Sequence, residues 1–80
     1  MSTPKTVLKK EGQSASNAKL RCKICILEIQ KKHYVGFLFG IDASGLFDFK
    51  AVEDSLDKAL AKCEARAKKI IPDCVMVLNK

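Results

Sequence analysis

Tyr34-Val35-Gly36-Phe37-Leu38-Phe39-Gly40-Ile41-Asp42-Ala43-Ser44-Gly45-Leu46-Phe47-Asp48-Phe49-Lys50 reads as two strands and the turn that joins them. Branched and aromatic residues fill both arms, as a pleated and half-buried surface requires. Asp42 and Gly45 occupy the first and fourth positions of a type I turn, with Gly45 taking the left-handed residue of a hairpin bulge. Val35, Phe37, Phe39, Ile41, Phe47 and Phe49 can then share one face, which leaves Tyr34, Leu38 and Leu46 on the other.

Outward from this hairpin the pattern stays regular. Before it, Leu20–Gln30 alternates Leu20, Cys22, Ile24 and Ile26 with Arg21 and Lys23 and then becomes apolar on both sides, which suits a long strand. Lys31-Lys32-His33 makes a polar turn. After it, Leu56, Ala59, Leu60, Cys63, Ala67 and Ile70 recur at spacings of three and four, the stripe of an amphipathic helix. Asp54 is the expected N-cap, with Asp57 reaching back to it, and Pro72 stops the element. Cys74–Leu78 is an unbroken apolar run, read as a final strand. The expected fold is α+β: a β-β-β-α-β domain, a mainly antiparallel four-stranded sheet with one helix packed on one face.

Residues 1–18 look different. After Met1 their only sizeable apolar residues are Val7 and Leu8 among Ser, Thr, Pro, Gly, Gln and Lys. Such a segment buries too little surface to offset its ordering entropy, so it is expected to be a disordered basic tail on a single domain spanning 19–80. The chain has 80 residues and a formal net charge of +6. Half of that excess lies in residues 1–19, and most of the rest in residues 20–50. The cluster Lys9, Lys10, Lys19, Arg21 and Lys23, continued by Lys31 and Lys32, therefore predicts contact with anions, nucleic acid included. No apolar run approaches membrane-spanning length and no export signal leads the chain, so a cytoplasmic location is expected.

The sheet pattern carries the functional expectation. One helix shields one face, and the other, expected to display Tyr34, Leu38 and Leu46 with Ile24 and Ile26, or with Cys25, Leu27 and Ile29 in their place, is left apolar and uncovered. A patch of that kind normally marks an interface. The expected function is a non-enzymatic interaction module that binds a protein partner, or itself as a homodimer, with the basic tail as an accessory anionic contact. The alternatives are a nucleic-acid-binding module and an exported, disulfide-stabilised domain.

No nucleophile elbow, phosphate loop or paired carboxylate motif is present, so neither an enzyme nor a cofactor site is expected. Cys22-Lys23-Ile24-Cys25 has a metal-ligand spacing, and Cys63 and Cys74 bring the thiols to four. Residues three apart on a strand point to opposite faces, however, so no metal site is expected. A strand returning from the helix can bring Cys74 beneath Cys63, within reach of a disulfide, although in a cytoplasmic protein free buried thiols are the expected state. His33 stands among lysines with no acidic or cysteine neighbour.

Three partial resemblances accompany these readings. Gly36-Phe37-Leu38-Phe39 resembles the aromatic strand of RNA-recognition domains, which implies base stacking on exposed rings; Asp42 stands where the last aromatic would be. Three strands, a Gly-containing hairpin and a helix resemble the arm-site DNA-binding domain of tyrosine recombinases. That resemblance implies a sheet in the major groove with Lys31, Lys32, Lys50 and the tail lysines as contacts. This sequence departs from it in having apolar hairpin strands and a strand after the helix. Ala59, Leu60 and Cys63, followed by Cys74, look like the Ala-Leu-x-x-Cys motif of small exported domains, which implies a Cys63–Cys74 disulfide.

Overall fold

Six elements follow one another in the computed structural model, which describes residues 4–78: strands β1 (Lys5–Ser14), β2 (Arg21–Gln30), β3 (His33–Asp42) and β4 (Gly45–Glu53), helix α1 (Leu56–Ile70) and strand β5 (Cys74–Leu78). The sheet is antiparallel throughout, in the order β4-β3-β2-β1-β5. It has five strands rather than four, and the extra one comes from the segment expected to be a mobile tail. β1 forms because it has a place on both sides: it pairs with β2 along its length and with β5 from Lys10 to Ser14. Weak local propensity is overridden where two neighbouring strands supply the hydrogen bonds. Its far end is fastened by Asp73, whose carboxylate accepts from Ser14 Oγ at 2.7 Å, Ser16 N at 3.1 Å and Ser16 Oγ at 2.5 Å. Ser14 is buried, and its oxygen also accepts from Asn17 N.

α1 lies across β2, β3 and β4. Its buried positions Ala59, Cys63 and Ala67 are small, which lets the helix come close to the sheet. Gly36 permits the same approach from below, since a Cβ there would stand 2.8 Å from Cys63 Sγ. Ser55, not Asp54, caps the helix: its Oγ accepts from Lys58 N at 3.1 Å, while Asp54 pairs with the Lys58 ammonium at 3.2 Å. Under the helix lie Cys22, Ile24, Ile26 and Leu38, with Phe47, Phe49 and Tyr34 at the margin.

That packing corrects the assignment of faces. The β3–β4 loop is only Ala43-Ser44, because Asp42 pairs directly with Gly45. Phe37 therefore sits beside Lys50 and Phe39 beside Asp48, while Phe49 sits beside Leu38 and Phe47 beside Gly40. One residue fewer in the loop than a bulged turn carries sends the two pairs of phenylalanines to opposite sides. Phe47 and Phe49 face the helix; Val35, Phe37, Phe39 and Ile41 face away. Tyr34, Leu38, Ile24 and Ile26, expected on the uncovered side, lie on the helix side, where Ile24, Ile26 and Leu38 are essentially inaccessible. Of the five, only Leu46 stands on the open face.

Candidate functional site

Among the described residues no layer covers the face away from the helix. Strand register fixes which residues meet there, and they fall in four levels running across the sheet. At one end Leu46, Ile41, Arg21, Gln13 and Val75 are neighbours; next come Asp48, Phe39, Lys23, Glu11 and Val77. The third level is Lys50, Phe37, Cys25 and Lys9, and the fourth Val52, Val35, Leu27 and Thr6. Six large apolar residues of this face are exposed: Leu46 at 88%, Val77 at 63%, Val52 at 58%, Val75 at 57%, Phe39 at 45% and Ile41 at 38%. Scattered singly they would be ordinary; here all six project from one side of one sheet. Phe39, Ile41, Leu46, Val75 and Val77 with Arg21 and Lys23 line one broad, shallow depression over the first two levels.

Charge on the face is mixed. Lys9, Lys23, Lys50 and Arg21 stand among two carboxylates, Glu11 and Asp48, and Glu11 lies 3.4 Å from the Lys23 ammonium. The basic residues singled out in the sequence are not brought into one patch. Lys9, Arg21 and Lys23 are on the open face. Lys10 projects to the helix side and pairs with Glu64 at 3.3 Å. Lys19 lies in the loop before β2, and Lys31 and Lys32 in the turn after it, at opposite ends of that strand.

Cys74 lies beside Cys22 and not beneath Cys63. All four are free thiols. Cys74 Sγ lies 3.9 Å from Cys22 Sγ, and the residue between them in the sheet is Gly12. Added at Gly12, a Cβ would come within 2.5 Å of Cys74 Sγ, 2.7 Å of Met76 Sδ and 3.0 Å of Cys22 Sγ, so three sulfurs fill the place of the missing side chain. Burial and the neighbouring Cys74 push the Cys22 thiol up to about 12, and burial pushes Cys63 up to about 11. Both stay protonated, as buried apolar groups do. Cys22 and Cys74 belong to strands on either side of β1, roughly 9–10 Å apart along the sheet, and a disulfide wants Cα atoms within about 7 Å. Cys63 instead packs against Gly36.

Among the described residues no cluster of three or more His, Cys, Asp or Glu is placed to hold a metal ion. No described helix is long and apolar enough to cross a membrane. His33 lies exposed at the start of β3, its Nδ1 3.2 Å from the Lys31 carbonyl oxygen. Register is what the sequence reading lacked: the open face could be found only once the β3–β4 loop length and the place of β1 were known. Neither the family models, nor the curated proteins, nor the solved structures contain a match to this chain.

Proposed function

We propose that this chain is a non-enzymatic protein-interaction module that associates through the sheet face opposite α1. One observation carries the reading: six exposed large apolar side chains, Phe39, Ile41, Leu46, Val52, Val75 and Val77, project from one uncovered side of the sheet. Water contact with such a surface is unfavourable at roughly 25 cal/mol per Å², so a partner that covers it gains stability in proportion to area. The mixed charges between the apolar positions give such a contact its register.

Photo-cross-linking in cells tests the proposal. A photoreactive phenylalanine analogue replaces Phe39 on the open face in one variant and Lys69 on the helix in another. Protein adducts are expected from position 39 and not from 69; adducts from 69 alone, or from neither, would sink the reading.

A second reading has its own support. Phe37 stands beside Lys50 and Phe39 beside Lys23, with Lys9 one strand further on, and rings flanked by cations on an open sheet can stack nucleic-acid bases. Asp48 and Glu11 on the same level as Phe39 oppose phosphate binding. Titration with a single-stranded oligonucleotide decides the matter, because phosphate contacts lose affinity steeply with salt and an apolar interface does not.

A further inference from the structure

We propose that the open face is its own partner: two copies close face to face about a two-fold axis that lies between the sheets, runs perpendicular to the strands and passes between the levels of Phe37 and Phe39. This rests on the interaction reading above and names the occupant as a second copy of this chain.

The pattern of charge selects the axis. Two identical sheets with aligned strands can be related by an axis running along the strands or across them. An axis along the strands, centred on β1 to β4, leaves each level opposite itself and exchanges β4 with β1. Asp48 would then meet Glu11 of the other copy and Lys50 would meet Lys9, each encounter occurring twice and each between like charges. An axis across the strands lays every strand antiparallel over its own counterpart and exchanges levels. Asp48 then meets Lys50 of the other copy, Glu11 meets Lys9, Phe39 meets Phe37, and each of these also occurs twice. On the outer levels Leu46 meets Val52 and Ile41 meets the largely buried Val35, while Arg21 meets Leu27 and Gln13 meets Thr6. Both acids lie on the Phe39 level and both lysines opposite them on the Phe37 level, on the same two strands, so of these two placements the second is the one complementary in charge.

Two further features agree. Within one copy Asp48, Lys50 and Lys9 have no ion-pair partner among the described residues, while Glu11 pairs with Lys23 and Glu53, Asp54 and Glu64 each have a partner. The shallow depression covers the Phe39 half of the face, and exchange of levels sets the other copy's Phe37 half over it. Sheets packed at about 30° displace the outer strands by about 4 Å, which a lysine side chain spans. Four strands at about 4.8 Å and four levels at about 6.8 Å give about 500 Å² of flat face per copy. Two copies bury about 1,000 Å², where specific but weak interfaces begin, so a micromolar, concentration-dependent dimer is expected.

Sedimentation equilibrium of the full chain over a concentration series tests this, with circular dichroism to confirm that each variant folds. Wild type should dimerise. Asp48→Lys and Lys50→Asp should each weaken the dimer about tenfold, because two symmetric contacts become repulsive, and the double exchange should return it to within about threefold of wild type. Tighter association of Asp48→Lys would select the other axis and overturn the proposal, as would a double variant no better than the singles. A wild type that remains monomeric throughout also overturns it, while adducts from position 39 would still uphold the interaction reading. A monomer that instead binds an oligonucleotide with a steep salt dependence would overturn both.

Discussion

A single missing side chain organises the sulfur cluster. Gly12 lies where Cys22, Cys74 and Met76 converge, and any larger residue must displace at least one of them. Gly12→Ala is expected to destabilise the fold by about 1–3 kcal/mol, measured by urea unfolding, through overpacking. The thiols themselves carry a pH dependence. Since folding holds the Cys22 and Cys63 thiols above their ordinary 9.0, their neutral form is favoured in the native state. Their contribution is complete below that value and is lost as pH rises toward about 11 and about 12. The unfolding midpoint should therefore fall between neutral pH and strongly alkaline pH, less steeply in Cys63→Ala; an equal fall in that variant would contradict the assignment. In the native protein Cys25, on the open face and only half-buried, should be alkylated well before the other three. Ser14 is the other residue that works beyond its size. Ser14→Ala removes hydrogen bonds to a carboxylate and should cost about 1.5–3 kcal/mol in the same unfolding experiment.

Turn length decides what the elements present. β3 and β4 were plain in their residues, as were α1 with its Ala59-Cys63-Ala67 stripe and the strand Cys74–Leu78, because periodicity is a local property. The assignment of faces was not, because it depends on whether the chain crosses between β3 and β4 in two residues or three. Asp42 settles it by accepting from Ser44 N and Ser44 Oγ, each at 2.8 Å, while Gly45 adopts φ +126°. The alternatives differ by one residue in 80, and no count of apolar positions separates them. The helix cap lies one position beyond the expected Asp54 for a related reason. Asp54 and Ser55 are both good caps, and Asp54 is taken by Lys58. Ser55→Ala should lower stability by about 1 kcal/mol and leave Asp54→Ala nearly silent, a comparison that thermal unfolding of the two variants makes directly.

The whole sheet depends on the strand least visible in the sequence. Nothing between Lys5 and Ser14 alternates strongly, yet among the described strands β1 is the only neighbour β5 has. A variant lacking residues 1–14 is expected to lose cooperative unfolding altogether, whereas a tail of no structural consequence would leave the midpoint unchanged. The open face was likewise foreseen in kind, from one helix set against a two-sided sheet, but not in its residues, since those follow from long-range pairing.

That placement also sets an order of events during synthesis. A β1–β2 hairpin can close early, but its outer row of amide and carbonyl groups stays unpaired until translation has passed Leu78. Throughout that interval the nascent chain carries a bare ribbon edge that any other incomplete copy can occupy. Slow elongation through α1 would lengthen the exposure, so yield of correctly assembled protein should respond to codon choice in that stretch more than to codon choice in β1.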